Sequence, residues 1–255
     1  MDSDFDGRQL TLPGLDDASV AWSVRRSPRA RRLSARVFHS GRVEIVAPVR
    51  ASDRRIAEFV ARYREWIDRK SLEGRRRAGS TAAAFPPAAL HLAAFDRRWR
   101  LHVAGGVGRA RITEGSRLAA GETGLLTVSG DVGNGMRLRL LLLGWISGHA
   151  RGQFEPWLAA IGAECGFEYG RLQMRLQRTR WGSCSVRGTI SLNLCLAFQR
   201  PEVVRYLLVH ELSHTRHMNH SARFWDCVAQ HCPQWRTLDR ELVDGWRQVP
   251  PWVFT

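Results

Sequence analysis

Apolar and polar residues alternate between positions 23 and 48, and this pattern predicts β-structure near the start of the chain. The alternation is interrupted by a turn that contains Gly41 and it ends at Pro48, so it predicts a β-hairpin. Over residues 51–70 the apolar positions recur with helical spacing instead. The first part of the chain therefore predicts a hairpin followed by an amphipathic helix.

The middle of the chain predicts a linker, strands and a long helix. Residues 74–89 contain many alanines, glycines and prolines, which is typical of a linker. Three short segments between residues 97 and 130 predict strands separated by turns. Residues 104–110 lack the third glycine and the following helix of a phosphate-binding loop, which favours a plain turn. Residues 136–162 return to helical spacing.

The last third combines a strand with a buried helix. Alternation over residues 189–198 predicts a half-buried strand, and residues 181–185 with Gly188 predict the preceding strand end and its turn. Pro201 suits the first turn of a helix. The segment that follows Pro201 is nearly apolar, so this helix is expected to be buried.

These elements together predict an α+β fold. We expect residues 1–20 to be a loose leader. Residues 21–132 are expected to form a β-rich N-terminal region with a helix and with the linker near residues 74–89. Residues 133–255 are expected to form a C-terminal domain that carries the chemistry described below.

The chain is strongly basic, and the charge is uneven. The formal net charge is +15 over 255 residues. Residues 1–120 carry 24 basic and 13 acidic groups, whereas residues 121–255 carry 15 and 11. A positive surface in the first half would attract phosphate backbones without sequence preference, which predicts non-specific nucleic acid as a partner. A solvated arginine surface without a partner is the open alternative.

Two further features concern the compartment. No stretch approaches the roughly 20 apolar residues that a membrane-spanning helix needs, so no membrane contact is predicted. The first ten residues are acidic, unlike a signal peptide, and the five cysteines form no CxxC pair. We therefore expect a cytoplasmic protein with reduced thiols.

The buried helix contains the motif HELSH, in which His210 and His214 are four residues apart. Side chains with this spacing lie one above the other on a single helix face. Two imidazoles placed in this way reach one zinc ion, while Glu211 projects beside them and can hold a water. Ionisable groups in an apolar helix are costly unless a metal or hydrogen bonds satisfy them. The motif therefore predicts a metal site, and histidines satisfied within the core are the weaker alternative.

A hydrolytic zinc site needs a third protein ligand and keeps its fourth position for water. His217 lies on the same face if the helix continues, but about one turn too far along the helix. His220 reaches the ion only if the helix stops, and Asn219 tolerates the left-handed conformation that stops helices. Ser221 is a suitable cap for a new helix. His220 is thus the preferred third ligand, with His217 or a more distant residue as alternatives.

The motifs RWGSCS, SLNLCL and VVRYLLVHELSHTRHMNHSARFW follow one another between residues 180 and 225. In this order they resemble the YgjP-like family of predicted metal-dependent hydrolases, bacterial relatives of the SprT and Spartan-type metalloproteases. The resemblance extends over roughly residues 22–245. It implies a zincin-like C-terminal half with a buried HExxH helix on a small sheet, His220 as third ligand and peptide hydrolysis.

The ligand set suggests a mechanism. One Zn²⁺ held by three neutral imidazoles can lower the pKa of a bound water to ~7. Glu211 would take the proton of this water as general base while the water attacks a peptide carbonyl, and would then protonate the leaving amine. Trp181, Ser183 and Asn193 are candidates for lining the substrate cleft. A packed turn with a supporting asparagine is the alternative for these three residues.

Two functions remain open on the sequence. The first is a zinc metallopeptidase that cleaves polypeptides. Its arginine-rich first half would bring it to proteins that are associated with nucleic acid. The second is a non-catalytic, zinc-containing nucleic-acid-binding protein. Glu211 discriminates between them, because a structural zinc site has four protein ligands and does not need a carboxylate beside an open position.

Overall fold

A computed structural model describes residues 22–38, 41–80, 85–115, 123–133 and 135–254, with only the backbone of residues 76–80. The predicted leader, residues 1–20, lies outside the described residues. The chain divides into two compact units, Met1–Ala82 and Ala83–Thr255.

The first unit pairs a small sheet with two helices. The strands are β1 (Trp22–Ser27), β2 (Ser34–Val37) and β3 (Val43–Pro48), and the helices are α1 (Asp53–Arg62) and α2 (Arg64–Ser80). Strand β3 is central, antiparallel to β2 and parallel to β1. The β2–β3 pair confirms the predicted hairpin. The predicted helix is present but breaks at Tyr63, where the backbone leaves the helical conformation.

Helix α2 continues beyond its predicted end. It is helical to Ser80, so residues 74–80 of the predicted linker are helical instead. One cause is a tertiary contact on its inner face. The fully buried Ser71 donates a hydrogen bond of 2.6 Å to the carbonyl oxygen of Gly41 in the hairpin turn. This bond ties the helix to the sheet, which the local composition of the segment does not reveal.

The second unit begins with a four-stranded sheet. Its strands are β4 (Ala89–Leu92), β5 (Arg97–Arg109), β6 (Arg111–Gly115) and β7 (Gly124–Asp131), in the order β4-β5-β7-β6. The predicted turn at residues 104–110 was wrong, because most of it forms the irregular end of β5. Positive φ angles at three of its glycines accompany shifts in the register with β7. Strand β4 was not predicted.

The predicted long helix is confirmed as α3 (Gly135–Cys165). It packs in the same apolar core as the four-stranded sheet and the C-terminal helices. Its buried side chains recur every three or four residues: Leu138, Leu142, Ile146, Ala150, Phe154, Leu158 and Ile161. This core joins residues on both sides of position 133, within the second compact unit.

The remaining elements surround the histidine motif. Strands β8 (Arg171–Arg175), β9 (Gly182–Cys184) and β10 (Thr189–Asn193) form a sheet with β10 in the centre and β9 at one edge. Helices α4 (Pro201–Ser213), α5 (Ala222–His231) and α6 (Trp235–Asp244) follow. The predicted strand over residues 189–198 was too long. It ends at Asn193, whose Oδ1 accepts a bond from the backbone N–H of Cys195 and begins a 3₁₀ turn.

Three small mixed sheets and six α-helices over the described residues confirm the predicted α+β class. Among these helices, none combines the length and the hydropathy that crossing a bilayer requires.

Gly41 offers a test of how the hairpin packs on α2. It has φ near +80°, and an added Cβ would lie 2.5 Å from the backbone oxygen of Ser71. We expect Gly41→Ala to lower the free energy of unfolding by about 2 kcal/mol or more, since strain and a clash with backbone combine. Denaturant unfolding followed by circular dichroism measures this change.

The matched control is Gly144→Ala in α3, where an added Cβ meets nothing within 4 Å. Helix propensity predicts that this change is neutral or stabilising by up to about 1 kcal/mol. Equal stability of the Gly41→Ala variant and the parent chain would show that the turn is not packed against Ser71.

Candidate metal centre

Three histidines converge at the end of α4. His210 and His214 lie on one face of this helix with ring centroids 5.0 Å apart, and His220 returns from the following segment. One ring nitrogen from each lies within 4.8 Å of the others, and the Nε2 atoms of His210 and His220 are 3.1 Å apart. The structure thus brings together the three residues that the sequence analysis preferred as ligands.

The chain returns because α4 stops at Ser213. Backbone N–H groups of Arg216 and His217 donate to the carbonyl of Ser213, and Thr215 Oγ1 donates to the carbonyl of Leu212. The expected left-handed residue at Asn219 was wrong, because Asp96 is the one non-glycine residue with positive φ in the described part of the chain. Hydrogen bonds of a turn, rather than a left-handed residue, end this helix.

Helix α5 then begins after Ser221, as predicted, although the Ser221 side chain makes no capping hydrogen bond. Its first turn supplies the aromatic wall of the histidine group. Phe224 is fully buried, and its ring centroid is 4.5 to 4.9 Å from those of all three imidazoles. Trp225 stacks on His220 on one side and on Trp235 on the other. These aromatic side chains therefore pack against the imidazoles and hold them in place.

His214 is oriented from behind by a backbone carbonyl. Its Nδ1 lies 3.0 Å from the carbonyl oxygen of His217, which can only accept a hydrogen bond. Nδ1 therefore carries the proton, and Nε2 keeps its lone pair. His217, the alternative ligand, contributes its carbonyl here, and its ring does not belong to the group of converging nitrogens.

Two residues near His210 were not identified from the sequence. Tyr206 lies one turn earlier on α4, with its hydroxyl oxygen 3.4 Å from His210 Nδ1 and 2.7 Å from Asp239 Oδ1 on α6. The spacing of four residues between Tyr206 and His210 placed both on one face. No local signal linked Asp239 to this face.

Glu211 is buried beside the histidines. Only 4% of its surface is exposed, and its Oε2 has no hydrogen-bond partner among the described residues. Burial raises the pKa of Glu211 to about 8, and the positive charge of Arg180 partly opposes this. Such a carboxylate is poorly solvated unless a cation or a water lies next to it.

Gly182 on β9 makes room for this carboxylate. A Cβ at Gly182 would lie 2.5 Å from Glu211 Oε1, so any side chain would collide with it. The glycine of the TrpGlySerCys motif is therefore required by the close approach of β9 to α4. From the sequence, this glycine was predicted only as part of a strand end and its turn.

Burial favours the neutral form of two of the three imidazoles, those of His210 and His214. Burial lowers the pKa of His210 to about 3, and the neighbouring His214 and His220 act in the same direction. Burial also lowers the pKa of His214, although the hydrogen bond to the His217 carbonyl works against this. Neutral imidazoles with free lone pairs are the form in which histidine binds metals.

This arrangement fits one divalent cation. Ligands of a tetrahedral zinc ion with Zn–N bonds of about 2.0–2.1 Å are roughly 3.3 Å apart, close to the observed 3.1 Å between His210 and His220. The Nδ1 atoms of His210 and His214 contact the Tyr206 hydroxyl and the His217 carbonyl, respectively. Their Nε2 atoms therefore remain available to a metal ion. Glu211, the residue after His210, is also buried, and its Oε2 has no hydrogen-bond partner among the described residues. Three histidines thus form a plausible binding site for one metal ion.

The three residues predicted to line the cleft occupy different places. Trp181 is 9% exposed and stacks on Trp246 with ring centroids 4.1 Å apart. Ser183 is half-buried on β9. Because side chains alternate along a strand, it faces away from the side on which Gly182 meets Glu211.

Asn193 is fully buried. Its Nδ2 donates to the carbonyls of Gln177 and Arg180, at 2.8 and 2.5 Å. It therefore fixes the segment that precedes β9, which favours the supporting role over substrate contact.

Comparisons with known proteins find one similar solved structure and one matching family. The crystal structure of the metallopeptidase zymogen of Pyrococcus abyssi abylysin is 25% identical, covering 35% of this chain and 92% of its own, with a TM-score of 0.33. No curated protein sequence matches the chain significantly. The model of the family described as YgjP-like, metallopeptidase domain, matches residues 31–244. Because this match spans most of the 255 residues, the chain belongs to the YgjP-like metallopeptidase family.

Proposed function

We propose that this metallopeptidase binds one Zn²⁺ through His210, His214 and His220 and hydrolyses polypeptides with Glu211 as general base. The observation that carries the proposal is the buried Glu211 carboxylate, which has an oxygen without a partner in the described structure and which follows His210, one of three converging imidazoles, in the chain. A carboxylate in this position has no evident structural use, and it suits proton transfer to and from a water.

Bound zinc would supply a Lewis acid that lowers the pKa of water and polarises a carbonyl. Glu211 accepts the proton of the attacking water and later donates it to the departing amine. A cation bound by the three histidines would favour the ionised form of Glu211, opposing the burial that raises its pKa. Phe224 excludes water from one side of the histidine group, which strengthens these electrostatic effects.

The position of β9 supports a polypeptide substrate. This strand pairs with β10 along one edge, and no other described strand pairs with its second edge. Its Gly182 lies directly against Glu211. An extended peptide that pairs with this edge through backbone hydrogen bonds would pass next to the general base.

The ligand count opposes the alternative of a structural zinc ion. A structural zinc site has four protein ligands. Within the part of the chain that the structure describes, the group of converging ligand atoms contains three histidines and no fourth histidine, cysteine or carboxylate. One position therefore remains for water or substrate, as hydrolysis requires.

The first unit supports a further proposal about partners. Residues 22–75 contain 15 basic and 6 acidic side chains. Most of these arginines are exposed, including Arg29, Arg31 and Arg32 in the connection between β1 and β2. We propose that this surface contacts nucleic-acid backbones, so that substrates include proteins bound to nucleic acid.

Glu211→Gln tests the general base. The amide keeps the shape of the side chain but accepts no proton, so we expect casein hydrolysis to fall by about 10²–10⁴-fold while zinc content is unchanged. Proteolysis assays and metal analysis of the same preparation measure both quantities. Glu202→Gln, an exposed change in the first turn of α4, is the control. Casein cleavage by Glu211→Gln at the parental rate would refute the proposed base.

His220→Ala and His217→Ala test the ligand set. Removal of the His220 ring should weaken zinc binding by more than about 100-fold. This exceeds the loss expected when only a hydrogen-bond partner of a metal ligand is removed, because a ligand itself is lost. His217→Ala keeps the carbonyl that orients His214, so its zinc affinity should remain within a few-fold of the parent chain. Competition with a chromogenic chelator measures both affinities. A greater loss in His217→Ala than in His220→Ala would reverse the ligand assignment.

Binding to mixed-sequence duplex DNA tests the charged surface. The logarithm of the association constant should fall linearly with the logarithm of salt concentration, by about 0.9 for each phosphate contact. Replacing Arg31 and Arg32 by alanine should reduce this slope by about two, whereas Arg151→Ala in α3 should leave it unchanged. Absence of binding at low salt would rule out the nucleic-acid proposal without affecting the peptidase proposal.

A further inference from the structure

A continuous hydrogen-bonded chain lies behind His210. Tyr206 is almost fully buried, with 1% of its surface exposed. Its hydroxyl oxygen is 2.7 Å from Asp239 Oδ1 and 3.4 Å from His210 Nδ1. The chain thus connects a carboxylate on α6 to a proposed metal ligand on α4 through one phenol.

The donors and acceptors in this chain are determined by its chemistry. A carboxylate only accepts, so the single hydroxyl proton of Tyr206 points to Asp239. Burial and this hydrogen bond raise the pKa of Tyr206, so the phenol keeps its proton. The oxygen of Tyr206 then accepts from His210, and Nδ1 of His210 must carry the proton. The lone pair of His210 is consequently on Nε2, the atom that faces His220.

The Asp239 carboxylate accepts the hydrogen bond from Tyr206 and is not neutralised by a basic side chain among the described residues. Asp239 is half-buried, and over the described residues it forms no ion pair with an arginine, lysine or histidine. Its neighbours on α6 differ, because Glu241 pairs with Arg200 and Asp244 pairs with Arg247. Helix α6 is held against the histidine group by the stack of Trp235 on Trp225, with ring centroids 4.2 Å apart.

We propose that Tyr206 and Asp239 are positioning residues for the metal, acting through His210. Asp239 polarises the Tyr206 hydroxyl, which holds the His210 ring in one tautomer and one orientation and makes Nε2 a stronger ligand. Partners that accept a hydrogen bond from a metal-binding histidine commonly have this effect. The inference rests on the metal site proposed above and extends it to a second helix, since metal affinity would depend on how α6 packs against α4.

Tyr206→Phe is the direct test. The ring and its packing remain while the hydroxyl is lost, so zinc affinity measured by chelator competition should fall by about 10–100-fold. Asp239→Ala should cause a similar loss. Asp239→Asn should cause a smaller one, because its amide oxygen still accepts from Tyr206. Asp244→Asn on the same helix is the matched control and should bind zinc like the parent chain.

Coupling between the two residues separates this role from general packing. If they act as one chain, the Tyr206→Phe/Asp239→Ala double variant should lose no more affinity than the weaker-binding single variant. Visible spectra of the Co²⁺-loaded proteins provide a second measure, with shifted bands in Tyr206→Phe and unchanged bands in Asp244→Asn. Thermal unfolding of the metal-free proteins reports any loss of folding independently.

Parental zinc affinity in Tyr206→Phe would overturn the inference, as would affinity losses that multiply in the double variant. A lower unfolding temperature with unchanged zinc affinity would also overturn it, because it would show a purely structural role. These results differ from failure of the proposed function, in which the parent chain itself binds no zinc or His220→Ala binds it normally.

Discussion

The constraint on which this structure depends is the burial of the Glu211 carboxylate at a helix end where three imidazoles converge. Such groups are costly to bury without compensating partners. Phe224 packs against all three imidazoles, and Glu211 is nearly inaccessible. The arrangement is consistent with a divalent cation as the missing partner, because a cation would satisfy the lone pairs of the imidazoles and stabilise the charge of Glu211. Membership of a metallopeptidase family agrees with this physical requirement.

The TrpGlySerCys segment serves this site mainly through packing. Trp181 stacks on Trp246, and Gly182 leaves the space that the Glu211 carboxylate occupies. Asn193 holds the preceding segment by two carbonyl groups from a fully buried position. A strand that approaches a buried carboxylate so closely needs both a residue without a side chain and a rigid connection. The motif is therefore best understood as a support that brings a strand edge, with which no other described strand pairs, next to the proposed general base Glu211.

The Nδ1 atoms of His210 and His214 have hydrogen-bond partners that come from different parts of the chain. His214 is oriented by the carbonyl of His217, which the turn after α4 supplies locally. His210 is oriented by Tyr206, whose own partner comes from α6. On the proposed ligand assignment, one ligand depends on a local turn and the other on the docking of a distant helix. The geometry of the proposed site is then coupled to the packing of the C-terminal helices and is not a property of the HExxH segment alone.

The sequence by itself determined the helices and strands that follow from the local spacing of apolar and polar residues. Helical spacing placed His210, Glu211 and His214 together, alternation identified the hairpin and most strands, and the short segment to His220 allowed one return of the chain. Tertiary structure alone decided that the last strand ends at Asn193, that α2 runs through residues 74–80 and that Asp239 lies behind Tyr206. The extent of α2 and the position of Asp239 depend on contacts between residues distant in sequence, such as Ser71 with Gly41. Periodicity reports which face of an element is apolar, but it does not report which element will cover that face.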